Sequence, residues 1–165
     1  MVTDNFYKYM LKCGTEIVQK GKNYLGNEVI IGTPSGSQTG LYTCLNSYYE
    51  KPNYYSHFSF GDGDITPTKE DFNLSGNFIT GLTVSKTLES TESGWILKAT
   101  ITNNNADSVV RKEIGLFGLV NNGYVSSCLM DRTVLDSPVT IPAGGIGQVE
   151  YTITFNYPTA TTETT

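Results

Sequence analysis

Charge, histidine and every mark of a redox or metal site are scarce in this sequence. Charged residues make up 16 % of the 165, against roughly a quarter in an average soluble domain. The 11 Lys plus Arg are outnumbered by 16 Asp plus Glu, for a net charge of -5, and they form no basic cluster. Nucleic acid is therefore not expected as a partner, because phosphate binding needs a contiguous basic face to release counterions. An anionic membrane surface is disfavoured for the same reason. No stretch approaches the roughly 18 apolar residues of a transmembrane helix. Met1 to Gly14 (MVTDNFYKYMLKCG) has no apolar core of a secretory signal, so export is not expected.

Three cysteines, Cys13, Cys44 and Cys128, are odd in number and far apart, with no CxxC pair. They are expected to be reduced and mostly buried, as in a protein made in a reducing cytosol. Zinc would need clustered ligands, which the spacing does not offer. The single histidine, His57, is the sole imidazole base for a Ser or Cys nucleophile, and no GxSxG elbow accompanies it. It is expected to begin a strand with its tip solvated. No catalytic residue, no metal and no cofactor is assigned.

What the chain does have is tyrosine, 11 of them within 12 % aromatics, together with abundant Thr, Ser, Asn and Gly. That is the composition of a β-rich domain with an uncharged polar surface. The length suits one domain with an arm or tail.

In the first 26 residues Phe6, Tyr9, Met10, Ile17 and Val18 recur at loosely helical spacing, broken by Gly14 and Gly21. This is expected to be a short helix or an arm, which must dock on its own domain or on a neighbour to bury those residues. Residues 27–157 alternate between short strands and turns. Glu28 to Gly32 is a strand closed by a polar loop to Gly40, and that loop has no GK[ST] and opens no helix, so it is no phosphate loop. Leu41 to Leu45 fits a further strand. Asn46 to Ser56 holds four Tyr and one Pro in eleven residues and reads as a long aromatic loop.

His57 to Phe60 alternates and runs into Gly61 to Asp64, a turn in which glycine is expected to supply positive φ and Asp to cap backbone N–H groups. Thr66 and Pro67 read as N-cap and first residue of a single helical turn ending near Leu74. Leu82 and Val84 share one face of a strand, and Trp95, Leu97, Ala99 and Ile101 share one face of the next. After an Asn103 to Asp107 turn come Val109 and Val110. Glu113 to Val120 then reads as a central strand, apolar on both faces. Asn121, Asn122 and Gly123 suit a type I′ hairpin turn. Tyr124 to Met130 returns, Pro138 to Pro142 reads as a short edge strand, and Val149, Tyr151, Ile153 and Phe155 line a final amphipathic strand. Residues 158–165 are expected to be a solvated tail. Eight or nine short strands with turn chemistry between them indicate an all-β fold, an antiparallel sandwich of immunoglobulin-like or jelly-roll type with an N-terminal arm or short helix.

Chemistry-bearing clusters are few. A glycosidase needs two facing carboxylates, and none of Asp62, Asp64, Glu70, Asp71, Glu113 and Asp131 is singled out as a pair. Asp62 and Asp64 with Glu70 and Asp71 lack the full spacing of an EF-hand, and an Asp–Gly turn accounts for them. Arg132 and Glu113, at the ends of the expected central hairpin, are placed for a structural ion pair. Tyr48, Tyr49, Tyr54 and Tyr55 offer stiff amphipathic area for protein contact, sugar stacking or packing on the domain itself.

The order of motifs is also telling. Phe60 to Asp64 (FGDGD), Pro67 to Leu74 (PTKEDFNL), Lys112 to Phe117 (KEIGLF), Leu129 to Val134 (LMDRTV), Pro138 to Gly144 (PVTIPAG) and Val149 to Phe155 (VEYTITF) together resemble small virion structural proteins of tailed bacteriophages, over about Phe60 to Tyr157. The resemblance implies a β-sandwich component of a tail, collar or head/tail fibre with no catalytic residues. It implies assembly with other virion proteins and with copies of itself, after synthesis in the bacterial host cytoplasm. The contacts are expected in residues 1 to 55, with Phe6, Tyr7, Tyr9, Tyr48, Tyr49, Tyr54 and Tyr55 as interface candidates. The competing expectation is a carbohydrate- or host-surface-binding module that uses the tyrosine-rich loop.

Overall fold

The computed structural model describes residues 1–14, 19–31, 57–91, 94–119 and 127–154. Among these residues one helix, α1 (Asp4–Gly14), is followed by eight strands: β1 (Gln19–Lys22), β2 (Glu28–Ile31), β3 (His57–Gly61), β4 (Leu82–Thr91), β5 (Gly94–Asn103), β6 (Val109–Leu119), β7 (Ser127–Ile141) and β8 (Ile146–Thr154). The strand expected at Leu41 to Leu45, the tyrosine-rich loop, the Asn121 to Gly123 turn, Phe155 and the tail lie outside the described residues, as do the side chains of His57 and Trp95.

Strict alternation in the second half produces two antiparallel three-stranded sheets, ordered β3-β6-β7 and β4-β5-β8. Strand β6 is central in the first, as its apolar run implies. The sheets pack face to face as an all-β sandwich. Phe58, Phe60, Leu116, Cys128 and Met130 of the first sheet join Leu97, Ala99 and Ile101 of the second in one buried cluster. Strand β4 is an edge, and Lys86 shares its inward face with Leu82, Val84 and Leu88. Burial lowers the pKa of Lys86 to about 8. An inward charge on an edge strand opposes pairing with another chain.

The outer face of the first sheet is covered as well. Leu74 packs there on Phe117 and Leu129, with Tyr24 and Phe78 beside them. Leu74 and Phe78 belong to the irregular strap between β3 and β4, which passes back across β6.

The N-terminal segment docks on its own domain. Val2 bridges Asp131, Thr3 N–H donates to the Met130 carbonyl at 2.9 Å, and Arg132 N–H donates to the Met1 carbonyl at 3.0 Å. These residues thereby add to the free edge of β7. Tyr9 and Ile31 enter the main core. Strands β1 and β2 form a hairpin, with Gly26 in left-handed backbone in its turn.

Three local expectations are corrected. No helix follows Thr66. Instead the Asp71 carboxylate accepts from Thr68 N–H at 2.9 Å and from Thr68 Oγ1 at 2.8 Å, closing a turn in the irregular segment that follows. The acid expected in a first helical turn is drawn away by Thr68 and by Arg132. Glycines with left-handed φ among the described residues are Gly26, Gly81 and Gly144, so the turn at Gly61 to Asp64 does not use positive φ. Pro138 to Pro142 is not a separate strand, because β7 runs unbroken to Ile141. Its register against β6 slips between Val134 and Val139, and Pro138, with no N–H to donate, occupies the slip on an edge strand.

Candidate functional site

The motif residues converge on the outer face of the first sheet. Glu113 is fully buried there. Its Oε1 accepts from Gly76 N–H at 2.8 Å and Gly63 N–H at 3.2 Å; its Oε2 accepts from Ser75 N–H and Ser75 Oγ, both at 3.0 Å, and from Arg132 Nη1 at 2.7 Å. Arg132 uses its other nitrogens as well, Nε donating to Asp71 Oδ2 at 2.7 Å and Nη2 to the Ile65 carbonyl at 2.8 Å. Burial alone would raise the pKa of Glu113, but the amides of Ser75 and Gly76 with Arg132 outweigh it and hold the carboxyl below its ordinary value. Asp71 is lowered in the same way, burial being outweighed by Thr68 and Arg132.

Glycine is required here by space. A Cβ on Gly63 would stand 2.1 Å from Ser75 Oγ and 2.5 Å from Glu113 Oε1, and one on Gly76 would stand 2.3 Å from Asp62 Oδ1. The strap can wrap the carboxylate because both positions lack a side chain.

Strand alternation sends Asp131 to the opposite face from Arg132. Asp131 Oδ2 lies 3.2 Å from the Met1 amine, and Thr133 Oγ1 donates to Oδ1 at 3.0 Å. It also holds the hydroxyl of Tyr151 from the second sheet. Burial first, then the charge of Asp131 and this hydrogen bond, push the Tyr151 pKa up.

The remaining acids are spread over the surface. Asp62 accepts from Asn77 N–H at 2.7 Å, which lowers its pKa, while Asp64 pairs with Lys112 at 3.4 Å and Glu70 with Lys69 at 3.8 Å. Among the described residues no three His, Cys, Asp or Glu side chains gather as a metal site. Cys128 is buried and free, its thiol pushed up to about 12 by burial. No helix among the described residues is long and apolar enough to cross a membrane.

Of the interface candidates, Tyr7 is 58 % exposed, Phe6 packs partly against the core, and Tyr9 is completely buried. Tyr9 is thus taken up by its own domain and presents no surface to a partner. Tyr48, Tyr49, Tyr54 and Tyr55 lie outside the described residues. The ion pair between Arg132 and Glu113 is present as the sequence suggests. Its extension to Asp71, Ser75 and Gly76 was hidden, because those partners lie 37 to 61 residues away from the groups they meet.

Comparison with protein-family models, with curated proteins and with solved structures finds no match. The functional reading therefore rests on the residues themselves and on the order of their motifs.

Proposed function

We propose that the protein is a non-enzymatic structural subunit of a tailed-bacteriophage virion, a tail, collar or fibre-attachment component that acts by protein–protein assembly. One observation carries the reading. Four residues from the motifs that carry the resemblance, Gly63, Asp71, Glu113 and Arg132, join in one largely buried network that fastens the strap to the sheet. Every nitrogen of that arginine is engaged within the fold, and both carboxylates are ringed by donors, which suits a motif that preserves a shape rather than one that turns over a substrate. The thinly charged Thr- and Asn-rich surface supports the same reading, since few charges need to be desolvated when neighbours cover it.

Mass spectrometry of purified particles from the phage that encodes this chain tests it. The expected result is the protein at a fixed stoichiometry to the major tail or head proteins; its absence from intact particles overturns the proposal. Glycan-array binding that Tyr54→Ala and Tyr55→Ala abolish would move the reading to a host-surface sugar-binding module.

A further inference from the structure

Arg132 holds two separate coverings of the first sheet at once. Its side chain fastens the strap, through Asp71, Glu113 and the Ile65 carbonyl. Its backbone fastens the N-terminus: the N–H donates to the Met1 carbonyl at 3.0 Å, and the carbonyl accepts from the Met1 amine at 2.6 Å.

The two coverings hide different surfaces. The strap lies over the outer face of the sheet, where Leu74 packs on Phe117 and Leu129. Met1 to Thr3 occupy the edge of β7 from Met130 to Arg132. A bare apolar face and an open strand edge are both features that draw other chains.

The coverings also touch each other, at a seam that is polar. Asp4 N–H donates to the Lys69 carbonyl at 2.8 Å. Beside that bond, between α1, β1 and the strap, runs a cleft of about 100 Å³ lined almost wholly by charged and polar side chains, among them Asp4, Lys8, Lys22, Lys69 and Glu70. Charged groups of this kind stay hydrated whether the seam is shut or parted. What ties the strap to the N-terminus is therefore the bond from Asp4 and, above all, the shared residue Arg132.

We propose that the strap and residues Met1 to Asp4 form one latch pinned by Arg132, which opens as a unit and uncovers the outer apolar face and the β7 edge together. Tyr9 and Ile31, held in the main core, keep α1 and the β1–β2 hairpin in place while it does so. Lifting the strap frees the guanidinium that fixes this stretch of β7 and breaks the bond from Asp4 to Lys69 in the same movement. Detaching Met1 to Asp4 loosens the strap in return, because a coupling between two equilibria is reciprocal. The closed latch is thus an autoinhibitory contact that keeps both surfaces from other chains.

Residue-resolved native-state hydrogen exchange of the full chain tests this with one substitution at each end. Asp71→Asn weakens the pin from the strap side. Thr3→Ala removes the Oγ1 bonds to the Leu129 and Met130 carbonyls, which keep their bonds from Asn5 Nδ2 and from the backbone N–H of residue 3. In the wild type the Thr3, Arg132, Ser75 and Gly76 amides should all exchange at least about tenfold faster, relative to their intrinsic rates, than the Leu97 and Ile101 amides of β5. The substitutions should then act crosswise. Asp71→Asn is expected to speed the Thr3 and Arg132 amides at least about fivefold, and Thr3→Ala to speed Ser75 and Gly76 by a similar factor. Effects confined to the substituted end, with the far amides within about twofold of wild type, overturn the latch and leave two independent coverings. Wild-type protection at these four amides equal to that of β5 overturns it too, because they then open only when the whole sandwich unfolds.

Discussion

Arg132 Nη1 and Glu113 Oε2 lie 2.7 Å apart across β6 and β7, with side-chain exposures of 2 % and 0 %. They are diagonal neighbours on one face, since Arg132 stands opposite Gly115 and Glu113 opposite Val134. Two such ions are costly to bury, and the cost is offset when every remaining donor and acceptor is also satisfied. Here the strap supplies those groups.

Removing one partner should therefore be worse than removing both. Glu113→Gln or Arg132→Met alone is expected to cost about 3–5 kcal/mol, the usual penalty for stranding a buried charge. Glu113→Gln combined with Arg132→Met should cost less than the sum of the two single changes. Urea denaturation of the four proteins of the cycle measures the coupling.

The same network sets the acid limit of stability. Asp71 and Glu113 both have folded pKa values below their ordinary ones of 3.8 and 4.5. A carboxyl depressed in this way contributes stability that is fully present above its unfolded pKa and is lost as pH falls through the folded one. The melting temperature should hold from neutrality to about pH 5 and drop below about pH 4. Asp71→Asn should flatten that drop while lowering stability at pH 7, as a pH series of thermal melts would register.

Two glycine substitutions separate crowding from backbone strain. Gly63→Ala places a methyl 2.1 Å from Ser75 Oγ and 2.4 Å from the Gly76 nitrogen, so the strap must move off Glu113. A loss of about 3 kcal/mol or more is expected, at the upper end for point substitutions. Gly144 has open space around it but a φ of 66°, so Gly144→Ala should cost only about 1–2 kcal/mol, the price of left-handed backbone. Denaturation midpoints of the two variants compare them directly.

Tyr9 and Tyr7 differ in burial, and their substitutions should differ in kind. Tyr9→Ala opens a cavity where α1 meets the main core and is expected to cost about 3–5 kcal/mol, with earlier proteolytic cutting near the N-terminus. Tyr7→Ala, at an exposed position, should change stability by less than about 0.5 kcal/mol. Denaturation with limited proteolysis distinguishes the two, and a Tyr9→Ala protein as stable as wild type would contradict the docking of the helix.

Legibility in the sequence followed the range of the interactions. The inward faces of β4, β5 and β8 were readable because side chains alternate with period two and one face must be buried, whereas the pairing of β5 with both β4 and β8 came only from the fold. The turn at Asn103 was readable too, although not its full burial, with Nδ2 donating to the carbonyls of Asp107, Ile141 and Pro142. A helix at Thr66 was a sound local inference from Thr, Pro and acids in order. It failed because the partner of Asp71 is Arg132, 61 residues away, and no local rule weighs a contact of that kind.

The sequence by itself determined an all-β chain, the inward and outward faces of its strands, and the pairing of Glu113 with Arg132, since each follows from backbone period or from residues flanking one hairpin. Only the tertiary structure decided that the glycine-rich motif is a strap wrapped round a buried carboxylate, and that Asp131 and Arg132 serve opposite faces of one sheet. It also decided that Arg111 and Glu113, two residues apart, part company at a bulge. The physical reason is that burial and register are properties of neighbouring strands, so a charge's surroundings are set by residues that the local sequence does not contain.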